Sequence, residues 1–226
     1  MPDEFKISDY LAFLSAYELT GGALVSGSFQ AFDQTYLIDA LKILGKKFVG
    51  VTQIPANYPE EKILSLDKLG IKAVRFNIKR GGSALLSELA YLSQKVYSLC
   101  GWHTEIYIDA NDLTIIEKQL LQIPKCSIDH LGLTKSGIPQ LQKLIEKGIY
   151  VKATGFGRID FDPIPVIKEF LKINPNSVMF GSDLPSTRAK KPFSNKDIEL
   201  IQEHFNEHEC KKIFYENALN FYNIDF

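Results

Sequence analysis

The chain has 226 residues, of which 45% are hydrophobic and 23% charged, and a formal net charge of −1. This composition is typical of a globular protein, and the near-neutral charge gives no basis for binding nucleic acid or a charged membrane surface. No apolar run reaches the roughly 18 residues that a membrane helix needs. The three cysteines lie far apart, as in proteins of a reducing compartment, so we expect a cytoplasmic location.

Short apolar runs alternate along the chain with longer segments of helical spacing. The short runs predict strands at 22–29, 48–55, 71–78, 103–109, 126–132, 149–156 and 178–184. The longer segments predict helices at 33–44, 59–69, 83–100, 112–122, 137–147, 162–173, 194–205 and 208–222. Strands that alternate with helices indicate a parallel sheet, either doubly wound or closed into a barrel. Since no linker interrupts the pattern, we expect a single domain over residues 1–226.

Polar residues near the strand ends help to distinguish a barrel from a doubly wound sheet. The predicted strands end in or close to Ser28, Asn77, Tyr107, His130, Lys152 and Asp183. A buried strand has little reason to carry such groups unless they do chemistry or bind a charged ligand. A barrel gathers its active site from the C-terminal ends of many strands, whereas a doubly wound sheet uses fewer. The sequence therefore predicts an α/β fold, a (β/α)8 TIM barrel with seven of its eight strands recognisable.

Several stretches of the chain carry a family resemblance. They are residues 73–77 (AVRFN), 101–103 (GWH), 106–107 (IY), 112–113 (DL), 128–132 (IDHLG), 151–155 (VKATG), 180–185 (FGSDLP) and 217–222 (NALNFY). In these stretches the chain resembles the amidohydrolase superfamily, within it the amidohydrolase-related branch that includes 2-pyrone-4,6-dicarboxylate lactonase. The resemblance implies a TIM-barrel hydrolase that opens a carboxylated lactone or related cyclic ester with an activated water.

The resemblance also implies a role for each matching residue. Asp183 would be the general base that activates water, and His130 would polarise the scissile carbonyl. The carboxylates of an anionic small-molecule substrate would be held by Ser28, Arg75, Arg80, Tyr107 and Arg158. The match at Arg80 requires a gap of one residue. The branch works without a metal, so the resemblance implies no cofactor.

The chain departs from the family at its start. The first strand of the family carries an Asp-x-His-x-His motif, which this sequence lacks, so we expect an N-terminally incomplete barrel. Of the residues that bind metal in other branches, only His130 and Asp183 stand at matching positions, and His103 opens its strand instead of ending it. Two alternatives stay open: a metal-dependent amidohydrolase or decarboxylase with a divalent metal such as zinc, and an inactive or truncated pseudoenzyme that binds small organic acids.

Simpler structural interpretations apply to the same residues. The structural alternative for Asp183 is a turn or helix-cap acid, and for His130 it is a buried core histidine. Arg75 is costly to bury without an anion, which is either a substrate carboxylate or an internal partner such as Glu105. Lys152 has the same alternative, with Asp183 or Glu105 as its partner.

Overall fold

The computed structural model describes residues 4–19 and 21–224. Its strands are β1 Gly22–Val25, β2 Phe48–Thr52, β3 Ile71–Asn77, β4 His103–Tyr107, β5 Cys126–Ile128, β6 Tyr150–Thr154 and β7 Val178–Gly181. Its α-helices are α1 Ile7–Phe13, α2 Thr35–Leu44, α3 Glu60–Lys68, α4 Leu89–Cys100, α5 Leu113–Leu120, α6 Ile138–Glu146, α7 Pro163–Ile173, α8 Asn195–His204, α9 Glu207–Lys211 and α10 Asn217–Tyr222. A π-helical turn, Lys212–Glu216, joins the last two helices.

The strands follow one another in the order of the chain, and the described pairs are parallel. A helix follows every strand, which is the repeat of a (β/α)8 barrel. The described residues contain seven such strands, so the predicted fold class, a TIM barrel with seven recognisable strands, is confirmed. None of the described helices has both the length and the apolar character needed to cross a membrane.

The described residues form two compact units. We call residues 18–19, 21–107 and 116–126 the Arg75 unit, and residues 4–17, 108–115 and 127–224 the Asp183 unit. The single domain over residues 1–226 stays a prediction.

The Arg75 unit packs its helices against strands that are buried along most of their length. All residues of β2 and β4 are buried, and so are six of the seven in β3. Leu37 of α2, Ile63 of α3 and Leu92 of α4 are almost inaccessible to solvent and fill the layer between helices and strands. In the register of β3 and β4, Arg75 lies beside Glu105 and Asn77 beside Tyr107. The polar residues of both strands therefore emerge together at their C-terminal ends.

The Asp183 unit brings the ends of β6 and β7 side by side. Thr154 and Gly181, the last residues of these strands, are register partners. The amide of Asn217 in α10 donates to the carbonyl oxygens of Val178 (2.8 Å) and Pro175 (3.2 Å), which fastens the last helix to β7. Because the two strands end together, the turns that follow them meet at one edge.

Every predicted strand is present, but all seven end earlier than predicted. The predicted strand 126–132, for example, stops at Ile128, since His130 and Leu131 have positive φ angles of 52° and 50° that leave the extended conformation. Ser28, His130 and Asp183 therefore lie beyond the ends of their strands. The other polar residues, Asn77, Tyr107 and Lys152, remain in the sheet. Helix α1 precedes the first predicted element and was not expected from the sequence.

Candidate active site

An ion pair joins Arg158 and Asp183 in the Asp183 unit. Arg158 lies in the short 3-10 turn after β6, and Asp183 follows β7 by two residues. The Nε of Arg158 donates to Oδ2 of Asp183 at 2.6 Å, and its Nη2 donates to the carbonyl oxygen of Thr187 at 3.0 Å. The two side chains are only 10% and 15% exposed. Such a short, shielded, charge-assisted bond holds the carboxylate in one orientation.

His130 is buried in the turn after β5 and bonded to the end of β6. Its Nδ1 lies 2.8 Å from Oγ1 of Thr154 and 3.2 Å from the carbonyl oxygen of the same residue. The φ angles of His130 and Asp183 are +52° and +55°, values that cost a residue with a Cβ about 1–3 kcal/mol. Both residues are therefore held in strained backbone, a feature that clusters at functional sites.

The two side chains and Arg158 converge on Gly155, which has a φ of +60°. A Cβ built on this glycine would lie 2.9 Å from Oδ2 of Asp183, 2.9 Å from Nδ1 of His130 and 3.0 Å from Cδ of Arg158. One point beside the Gly155 backbone is thus within 3.0 Å of all three side chains. The structure brings together the carboxylate, the imidazole and the guanidinium, and we call Gly155 with these three residues the Gly155 cluster.

A second buried ion pair joins Lys152, in the middle of β6, to Asp129, directly after β5. Lys152 is 7% exposed, and its Nζ lies 3.9 Å from Oδ1 of Asp129, which is 3% exposed. The same ammonium group lies 5.7 Å from the centre of the Tyr222 ring. Asp129 is thus a partner of Lys152 that the sequence analysis did not name.

In the Arg75 unit, Tyr107 contacts both predicted arginines. The guanidinium carbon of Arg75 lies 5.4 Å from the centre of its ring, and Nε of the exposed Arg80 lies 3.4 Å from its hydroxyl oxygen. Arg75 is 7% exposed and donates from Nη1 to the carbonyl oxygen of Ser26 at 2.6 Å. Two cationic groups beside one phenol form a site that suits an anion.

Ser28 belongs to the same region of the Arg75 unit. It begins a 3-10 turn after β1, and a Cβ on Gly82 would lie 2.2 Å from its carbonyl oxygen. The loop that follows Arg80 therefore packs directly against the Ser28 backbone, and only glycine fits there at the observed φ of +84°. Of the four substrate-binding residues predicted in this unit, Ser28 and Arg80 lie on two neighbouring loops. Arg75 lies within β3, and Tyr107 ends β4.

His103 lies at the opposite end of its strand from Tyr107, as its position in the sequence indicates. It is the first residue of β4, whereas Tyr107 is the last. Its Nε2 lies 3.2 Å from Oε1 of Glu105, and both side chains are buried. The histidine is therefore part of a buried polar pair inside the strand.

The described residues contain no recognisable group of metal ligands. Within the described residues, no three His, Cys, Asp or Glu side chains are grouped so that they could hold an ion. A catalytic zinc takes about three protein ligands. Oδ2 of Asp183 already accepts from the guanidinium of Arg158, and Nδ1 of His130 is bonded to Thr154.

Two residues of this region were not among the predicted site residues. Thr154 ends β6 and Gly155 follows it, where the sequence has a polar residue followed by glycine. That pair was the available signal, because glycine after a strand end allows close approach and a left-handed conformation.

Comparison with known proteins places the chain in a family. A family model described as amidohydrolase matches residues 3–224. No curated protein matches significantly. A Pseudomonas putida structure assigned as a 2-pyrone-4,6-dicarboxylic acid hydrolase has a TM-score of 0.84 and 21% identity, over 97% of this chain and 88% of that one. An Acinetobacter baumannii structure with the same assignment and with citric acid bound has a TM-score of 0.84 and 23% identity, over 99% of this chain and 91% of that one.

A third structure, of an Agrobacterium tumefaciens protein, has a TM-score of 0.83 and 18% identity, over 96% of this chain and 85% of that one. At these identities the three structures show a common fold. The match of the family model extends over nearly the whole chain. The chain is a hydrolase and belongs to the amidohydrolase family.

Proposed function

We propose that this protein hydrolyses a carboxylated lactone or a related cyclic ester with a water activated by Asp183. The observation that carries the proposal is the Gly155 cluster, which places a carboxylate, an imidazole and a guanidinium around one point. Ester hydrolysis needs a base for water and a donor for the carbonyl oxygen that gains negative charge. The cluster contains one residue for each requirement.

In the proposed reaction, Asp183 accepts a proton from water while the water oxygen bonds to the carbonyl carbon of the ring. His130 donates a hydrogen bond to the carbonyl oxygen as it becomes negative. The ester C–O bond then breaks, and the leaving oxygen takes up the proton that Asp183 accepted. The products are a carboxylic acid and a hydroxyl group on one open chain, and the protein is regenerated.

Arg158 has two functions in this proposal. Its bond to Oδ2 orients the Asp183 carboxylate, and a guanidinium has five N–H donors, so it can also meet a substrate carboxylate. Ser28, Arg75, Arg80 and Tyr107 are proposed to bind carboxylate groups as well. A related structure assigned as a 2-pyrone-4,6-dicarboxylic acid hydrolase holds citric acid, which supports a polycarboxylate substrate class. The proposed reaction uses side chains alone.

The test is the rate of hydrolysis of 2-pyrone-4,6-dicarboxylate and a panel of other carboxylated lactones by the wild type and by Asp183→Asn. The substitution preserves an oxygen acceptor for Arg158 and removes the base. We expect kcat to fall by about 10²–10⁴-fold, the usual contribution of a general base. Asp162→Asn is the matched control, because Asp162 caps α7 in the same unit through the amide of Ile164 and is expected to retain the wild-type rate.

Unchanged hydrolysis by Asp183→Asn, with circular dichroism showing a folded protein, would contradict the proposed mechanism. Stoichiometric zinc or manganese in the purified protein, together with loss of activity on chelation, would favour a metal-dependent hydrolase instead. If no lactone is hydrolysed while a dicarboxylate still raises Tm, the protein binds small acids without turnover.

A further inference from the structure

Thr154, at the end of β6, contacts the turn after β5 on one side and β7 on the other. Its Oγ1 and its carbonyl oxygen lie 2.8 Å and 3.2 Å from Nδ1 of His130, in the turn after β5. On the other side, a Cβ on Gly181 of β7 would lie 2.8 Å from its Cγ2 methyl group. The methyl group thus occupies the space left by the missing side chain of Gly181, and the hydroxyl faces the imidazole. Because threonine has few allowed χ1 rotamers, this packing fixes the direction of the hydroxyl.

The pair of oxygens determines which nitrogen of the imidazole carries a proton. A carbonyl oxygen can only accept a hydrogen bond, so its contact with Nδ1 is attractive only when Nδ1 is protonated. A threonine hydroxyl can accept from the same N–H and donate its own hydrogen elsewhere. Both contacts are therefore satisfied together when Nδ1 bears the hydrogen, and the contact with the carbonyl oxygen opposes the other tautomer.

We propose that Thr154 is a positioning residue that holds His130 with its proton on Nδ1, so that Nε2 is the nitrogen that interacts with the reacting group. The inference rests on the proposed hydrolysis, in which His130 stabilises the carbonyl oxygen. With Nδ1 committed to Thr154, the ring donates from Nε2 to that oxygen in its doubly protonated form. A histidine held by a second residue in this way is a common device for fixing ring orientation at a site.

The hydroxyl is removed without a change of shape by Thr154→Val and retained by Thr154→Ser. Loss of one hydrogen bond that orients the ring is expected to lower kcat by about 3- to 10-fold, since such bonds contribute about 0.5–1.5 kcal/mol. KM is expected to stay near the wild-type value, because Thr154 is not proposed to touch the substrate. Thr154→Ser is expected to restore most of kcat. Circular dichroism at the assay temperature confirms that each variant is folded.

A second measurement reads the tautomer directly and does not depend on activity. The ¹⁵N chemical shifts of the four histidines report which ring nitrogen carries hydrogen in a neutral ring, and His130→Asn assigns the signals. The wild type and both variants keep the backbone carbonyl oxygen at position 154, so all three are expected to show His130 protonated at Nδ1, and Thr154→Val to lose only the hydroxyl bond that orients the ring.

An Nε2-protonated His130 in the wild type, or the same kcat in Thr154→Val and Thr154→Ser, would overturn the inference. If the wild type hydrolyses no lactone, the proposed function fails, whereas the tautomer is still decided by the nitrogen shifts. The two failures are therefore distinguishable.

Discussion

Replacement of Gly155 by alanine is expected to reduce activity much more than stability. The new Cβ would lie 2.9 Å from Oδ2 of Asp183 and from Nδ1 of His130, and 3.0 Å from Cδ of Arg158. Ordinary van der Waals contact begins at 3.4 Å, so these side chains must retreat by about 0.5 Å. The methyl group therefore separates the three groups whose convergence supports the proposed function.

The expected magnitudes follow from this geometry. A residue with a Cβ in the left-handed region costs about 1–2 kcal/mol relative to glycine. In a chain of this size, that cost lowers Tm by roughly 2–8 °C. A displacement of about 1 Å at reacting groups costs on the order of 10²-fold in rate, so half that displacement is expected to lower kcat/KM by about 10-fold or more.

Gly101→Ala is the matched control. Gly101 ends α4 with a φ of +74°, and no atom lies within 4 Å of the position that its Cβ would occupy. In Gly101→Ala only the unfavourable left-handed backbone conformation contributes. This variant is therefore expected to lose about as much stability as Gly155→Ala and to retain wild-type activity. Lactone hydrolysis and thermal unfolding are measured for both variants. Equal activity of Gly155→Ala and Gly101→Ala would refute the conclusion that the cluster is sterically closed around Gly155.

Two further predictions concern the Arg75 unit. Burial raises the pKa of Tyr36 to about 12, while its 2.6 Å hydrogen bond with Ser26 and the charge of Arg75 oppose that rise. Because the unfolded tyrosine loses its proton near pH 10, Tyr36 is expected to contribute about 2–3 kcal/mol to the fall in the free energy of unfolding between pH 10 and 12. Tyr36→Phe is expected to remove this contribution in denaturant titrations. Asp67 accepts hydrogen bonds from the indole of Trp102 at 3.0 Å and from the ammonium group of Lys72 at 2.9 Å. Asp67→Ala is therefore expected to destabilise the protein by about 1–3 kcal/mol and to shift the fluorescence of this single tryptophan. Asp67→Asn is the milder control. An unchanged pH dependence in Tyr36→Phe, or unchanged emission in Asp67→Ala, would contradict the respective prediction.

The alternation of strands and helices could be predicted from the sequence because it depends on local periodicity. Apolar residues recur with helical spacing between the short buried runs, so all seven strands and the helices after them were located. Helix α1 was missed, since Ile7–Phe13 has no residue buried in the structure and hence a weak apolar pattern. The ends of strands were placed too far along the chain where positive φ angles, as at His130, turn the backbone out of the sheet.

The candidate site could be predicted less completely. Asp183 and His130 were noted at predicted strand ends, and Arg158 was implied by the family resemblance. The structure brings the three together. Thr154 entered the sequence analysis only as part of the stretch 151–155, because its role depends on an imidazole 24 positions away in the chain. Likewise, Asp129 lies 3.9 Å from the ammonium group of Lys152 and was not among the partners expected for it.

The sequence by itself determined the class of fold, the strand ends that carry polar groups, and the resemblance to amidohydrolases that the family match confirmed. These depend on local periodicity and on motifs, both of which are readable in one dimension. Only the tertiary structure decided that Arg158 holds Asp183, that Thr154 holds His130, and that Gly155 leaves room between them. The physical reason is register: the pairing of Thr154 with Gly181 in neighbouring parallel strands sets which side chains meet, and no local pattern specifies that pairing.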